Sequence, residues 1–225
     1  MGNEKSDSDE GAGGPDQNHN TKSPQSPAGY HSPERKKGIS STVDFIKRYH
    51  HAIGLGLLLA LVSYLLLPIG FTDIADTVRS LSEGQFLWMI LILFIGLFGI
   101  TAATIEIHER IHKWVYEFFG YETTIERGLL VAVTYVENQW VERNHALISK
   151  ISPLLILSGS SYFVCIISPN QLLTIVFGLV FLLNTVSSGH DIVSLFSVMK
   201  RPPRTLAYLQ HENGIRYTYI SEPKT

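Results

Sequence analysis

The chain has one cysteine, Cys165, among 225 residues, so no internal disulfide holds it together. Charge is scarce as well. Asp, Glu, Lys and Arg make up 17% of the sequence, where a water-soluble globular domain carries roughly a quarter. Neither sign dominates: 18 Lys and Arg against 20 Asp and Glu leave a formal net charge of -2, which offers no electrostatic footprint for nucleic acid. Residues 1–41 contain no Leu, Val, Phe or Trp. Such a stretch cannot bury enough apolar surface to offset the entropy of ordering, so a disordered tail is expected, and without an apolar core it is not a signal peptide.

What the chain does have is hydrophobic residues, 45% of the total, gathered in blocks. Ala52–Phe71, Phe86–Ile105 and Ile151–Ser168 carry no charge, and Leu172–Met199 holds only His190 and Asp191 as ionisable groups. Each run approaches the roughly 20 helical residues that cross a hydrocarbon layer of about 30 Å. None shows the polar stripe that a helix of a soluble bundle would need. The expected fold is therefore an all-α polytopic membrane protein with four spans, about 52–71, 86–112, 151–168 and 172–199. All Lys and Arg except Arg79 then fall on one side with both termini, which predicts that the termini and the 113–150 loop are cytoplasmic at a cell membrane. The second helical pattern runs on to about Phe119, where Gly120 can end it. Alternation over Leu129–Val136, and a 200–225 segment with Asn213-Gly214 between two β-rich arms, predict a small cytoplasmic β element.

At the inner end of the second run stands His108-Glu109-Arg110-Ile111-His112. On a helix two histidines four apart share a face and can both reach a Zn²⁺ ion, with the glutamate beside the metal's water. A catalytic zinc takes a third protein ligand and keeps a position open. Asp191 is the leading candidate, because a carboxylate inside an apolar span is costly unless paired or metal-bound. His108 lies about 22 residues into its span and Asp191 about 19 into its own; both spans run inward, so the two arrive at similar depth. Glu126 and Glu137 are alternative third ligands from the loop. Asn184, two turns before Asp191 on the same face, is a catalytic candidate that would orient a peptide or donate to an oxyanion. His145 reads as a solvated helix position. A di-iron site of the desaturase kind would need more histidines than the four near the spans, and a catalytically inactive membrane scaffold is the non-enzyme alternative.

The His108-Glu109-x-x-His112 helix leading to Gly120-Tyr121, Ser152-Pro153 at the next span, and Asn184 through Ser188-Gly189-His190-Asp191 resemble the zincin peptidase family of small prokaryotic multi-pass membrane metalloproteases. The likeness covers about Ser80 to Pro223. More distantly, the arrangement is similar to site-2 proteases, although their Asn-Pro and Leu-Asp-Gly signatures are missing, which leaves His190 as a rival ligand. The resemblance implies zinc held by His108, His112 and Asp191, Glu109 as general base, and hydrolysis of membrane or membrane-proximal protein substrates. An extended substrate could add to the 129–136 edge.

Overall fold

A computed structural model of the chain describes residues 23–37, 42–66, 82–128, 132–212 and 215–224. In chain order the elements are β1 (Glu34–Lys37), α1 (Thr42–Leu66), α2 (Glu83–Phe118), β2 (Thr124–Arg127), β3 (Ala132–Tyr135), β4 (Trp140–Glu142), α3 (Arg143–Pro153), a π-helical turn (Leu154–Ser158), α4 (Gly159–Ile167), α5 (Gln171–Met199), β5 (Leu206–Glu212) and β6 (Ile215–Ser221). Three continuous helical stretches among the described residues are long and apolar enough to cross a membrane: Gly84–Phe118, Arg143–Ile167 and Gln171–Met199. The first expected span, 52–71, falls on α1, whose apolar piece His50–Leu65 is shorter, and its expected end at Phe71 lies outside the described residues.

Local chemistry sets the ends of these helices. At the start of α2, Gln85 Oε1 accepts from the Ser82 backbone N–H at 3.0 Å and from its hydroxyl at 2.9 Å. At its other end Gly120 has φ +85°, its N–H donates to the Glu117 carbonyl, and Tyr121 N–H reaches back to Tyr116. This is the paired closure that a left-handed residue makes possible. The 36 residues of α2 rise about 54 Å, about 24 Å more than a 30 Å hydrocarbon layer. Its first half exposes Leu87, Trp88, Ile92 and Phe94 on all sides, as a helix surrounded by lipid would. Asn170 caps α5 by accepting from Leu172 N–H and Leu173 N–H, and the Arg143 guanidinium closes the far end on the Val198 and Met199 carbonyls.

Helix α1 crosses α5 at bare backbone. A Cβ on Gly189 would lie 2.7 Å from Ala52 O and 2.9 Å from Gly56 Cα, and one on Gly56 would lie 2.8 Å from Val186 O. Small residues allow this approach, which in lipid is a main source of helix–helix attraction.

Two antiparallel sheets sit where α2 and α5 end and α3 begins: a four-stranded one in the order β1-β6-β5-β4, and the β2-β3 pair, which packs on α2. Between them Tyr116, Val136 and Val141 form a small core with Tyr121 and Ala146. Part of the expected disordered tail belongs to this layer. Glu34–Lys37 pair with Tyr217–Ile220, Tyr30 bridges Pro223, and Arg35 lies over the Tyr217 ring at 3.8 Å. Backbone pairing to an existing edge, with a cation on an aromatic face, orders this polar stretch without apolar burial of its own. Residues 1–22, part of the 129–136 strand (129–131) and the Asn213-Gly214 turn lie outside the described residues.

Candidate metal centre

One face of α2 presents His108 and His112 inward, 4% and 3% exposed, and α5 presents Asn184 and Asp191 toward them, 0% and 4% exposed. His108 Nε2 lies 2.9 Å from Asp191 Oδ2, His112 Nε2 lies 3.1 Å from the same oxygen, and the two Nε2 atoms are 3.2 Å apart. Each imidazole is held from behind. His108 Nδ1 meets Asn184 Oδ1 at 2.8 Å, and His112 Nδ1 meets the Ser149 carbonyl at 2.8 Å. Both partners are acceptors, so with an ion between the two Nε2 atoms and Asp191 Oδ2 the rings would carry their protons on Nδ1 and turn the Nε2 lone pairs to the ion. Two ring nitrogens and a carboxylate oxygen thus converge on one point. About a tetrahedral zinc with bonds of about 2.0–2.1 Å, ligand atoms stand about 3.3 Å apart, close to the triangle seen here. The donor set and its spacing therefore fit zinc.

His108, Glu109 and His112 form a cluster able to hold a metal ion, their ligand atoms lying within 4.8 Å of one another. Glu109 does not point into the triangle. Its Oε2 accepts from the Thr134 backbone N–H at 2.6 Å, and its carbonyl accepts from the Thr134 hydroxyl at 2.8 Å, so β3 holds it beside the two histidines. A cavity of about 340 Å³ opens over these groups, bounded by Ala132, Val133 and Thr134 of β3 and by Lys150, Ser187 and His190.

Of the alternatives raised by the sequence, the structure gathers Asp191 and leaves the others aside. His190 is partly exposed, its Nδ1 3.9 Å from Asp191 Oδ1. Glu126 accepts from Tyr135 at 3.3 Å and Glu137 faces His211 at 3.9 Å, and neither joins the cluster. Asn184 stands behind His108, its Oδ1 2.8 Å from Nδ1. Both its amide hydrogens are committed, to the Pro153 carbonyl at 2.9 Å and Ser158 Oγ at 2.8 Å, so it backs His108 and has none left for a substrate. His145 is no solvated position either: it stacks on Phe119 at 3.9 Å and its Nδ1 meets Tyr121 Oη at 2.8 Å. Burial pushes the Tyr121 phenol up, and its oxygen accepts from Glu142 N–H at 3.2 Å.

Sequence reasoning passed over Ser149, Lys150, Ser158 and Thr134. The Lys150 ammonium donates to Asp191 Oδ1 at 2.8 Å, leaving Oδ2 to the triangle. A lysine at the mouth of an apolar run ordinarily reads as an interfacial anchor, so its one usable signal was sharing a depth with Asp191.

Membrane-length apolar helices thus carry an H-E-x-x-H cluster able to hold a metal ion. Residues 101–206 match the model of a family described as "Putative zincin peptidase", a segment that contains every residue of the cluster. No curated protein and no solved structure matches the chain.

Proposed function

We propose that the protein is a zinc-dependent, membrane-embedded peptidase that hydrolyses peptide bonds in membrane or membrane-proximal proteins. The observation that carries this reading is the convergence of His108 Nε2, His112 Nε2 and Asp191 Oδ2 within 2.9–3.2 Å, with each ring fixed through Nδ1. His108, His112 and Asp191 hold the ion, and Asn184, the Ser149 carbonyl and Lys150 orient the three. Zinc bound there polarises a carbonyl and lowers the pKa of water toward about 7. Glu109 is the general base: with Oε2 held by Thr134 N–H, its other oxygen takes a proton from the attacking water. That proton then goes to the leaving amine as the C–N bond breaks. Strand β3 has a single strand partner, β2, among the described residues and lines the cavity, so an extended substrate chain fits along its other edge.

The arrangement in the membrane belongs to the same reading: four spans in a cell membrane, with both termini and the metal centre toward the cytoplasm, as the distribution of Lys and Arg favours. Zinc analysis of the detergent-purified protein tests the proposal. Wild type should hold about one zinc per chain, Asp191→Ala should lose it, and Glu109→Gln should keep it while losing peptide hydrolysis. A wild type that takes up no zinc on reconstitution removes the peptidase reading.

A further inference from the structure

One short stretch of chain, Ser149 to Pro153, reaches all three groups of the triangle. The Ser149 carbonyl accepts from His112 Nδ1, Lys150 donates to Asp191, and the Pro153 carbonyl accepts from Asn184, whose other end holds His108. Two of these contacts use backbone carbonyls inside a helical stretch, where such groups are normally taken by the N–H four residues on. Here the residue four after Ser149 is Pro153, which has no N–H to give. The helix then continues as the π turn Leu154–Ser158, whose wider winding opens the carbonyl ladder beside Pro153 before regular α geometry resumes at Gly159. Helix propensity argues against proline here, and Ser149, at 0% exposed, has no access to water that could serve its freed oxygen.

We infer that Pro153 is a positioning residue for the metal centre: by withholding its N–H it frees the Ser149 carbonyl, which sets the His112 tautomer and aims Nε2 at the ion. The π turn does the same office for Asn184, and through it for His108, by presenting the Pro153 carbonyl and Ser158 Oγ side by side. Pro153 acts through backbone groups, so its effect falls on ligand orientation and not on the chemistry of the bond being cut. This inference rests on the zinc reading above and deepens it.

Substituting Pro153→Ala supplies an N–H that competes for the Ser149 oxygen and draws the turn toward regular α-helix. In the full-length protein in detergent, zinc affinity by competition with a chelating dye should weaken by about 10–100-fold, the range typical for loss of a partner behind a metal-bound histidine. The melting temperature of the zinc-free protein should stay level or rise, because alanine suits a helix better than proline. In the zinc-loaded protein the His112 Nδ1–H proton resonance should move upfield in Pro153→Ala, because the Ser149 oxygen is then shared with a second donor, while that of His108 moves less. Ser149→Ala keeps the carbonyl at 2.8 Å from His112 Nδ1 and loses only the hydroxyl, 3.3 Å from the same nitrogen, so its loss of zinc affinity should be smaller than that of Pro153→Ala. The inference is overturned if Pro153→Ala binds zinc within twofold of wild type, if its zinc-free form melts lower or fails to fold, or if Ser149→Ala loses as much affinity as Pro153→Ala. A wild type that binds no zinc defeats the metal reading itself, an outcome visible in the first arm and distinct from failure of the variants alone.

Discussion

Replacing Gly189 with alanine puts one methyl group where α1 and α5 touch. The added Cβ would stand 2.7 Å from the Ala52 carbonyl oxygen and 2.9 Å from both Gly56 Cα and Gly56 N, all backbone atoms, so no side chain can swing aside. Restoring an ordinary contact of 3.4 Å requires the helices to part by about 0.7 Å. Overpacking of this kind costs about 1–3 kcal/mol. Gly189 lies two residues before Asp191, on the helix that also carries Asn184, so the displacement reaches the metal centre. Thermal unfolding in detergent should show a melting temperature several degrees lower, together with weaker zinc retention. Gly99→Ala is the internal control, since its Cβ would meet nothing within 4 Å, and there alanine should be neutral or slightly stabilising. If Gly189→Ala and Gly99→Ala behave alike, the close crossing does not support the centre and α1 plays no part in it.

Asn184→Ala removes the acceptor at His108 Nδ1 and leaves Ser158 without its amide donor, so zinc affinity should fall about 10–100-fold with little change in secondary structure by circular dichroism. Unchanged affinity would mean that His108 needs no support from behind. Lys150→Met strips the cation from Asp191 Oδ1, and the zinc-free protein should lose more thermal stability than the zinc-loaded one, because the ion replaces part of the missing positive charge. Equal losses with and without zinc would count against Lys150 serving the centre. Tyr121→Phe breaks the hydroxyl's bonds to His145 and Glu142 N–H, at a cost of about 1 kcal/mol in stability, while peptide hydrolysis persists; abolished hydrolysis would place the clasp in the site after all.

Much of the architecture is written in local patterns that a single segment carries by itself. The apolar runs mark the long helices, Gly120 marks where α2 stops because only a residue tolerant of positive φ closes that turn well, and the four-residue spacing of His108 and His112 puts both on one helix face. The depth of Asp191 follows from counting residues along a helix of known rise. These features depend on neighbours within a turn or two, so they survive being read without a structure.

Tertiary structure decided what depends on partners far away in the chain. Asp191 and His190 are adjacent in sequence and equally able to bind a metal, and only the facing of α5 toward α2 turns one into the triangle and the other aside. Asn184 looked like a donor to substrate until the Pro153 carbonyl and Ser158 claimed its hydrogens. The polar stretch Glu34–Lys37 pairs with an edge at least 180 residues downstream, an order its own composition did not promise. The Ser149 carbonyl is left free by a local cause, the proline four residues on, but which distant imidazole it meets is settled by how the helices pack around it.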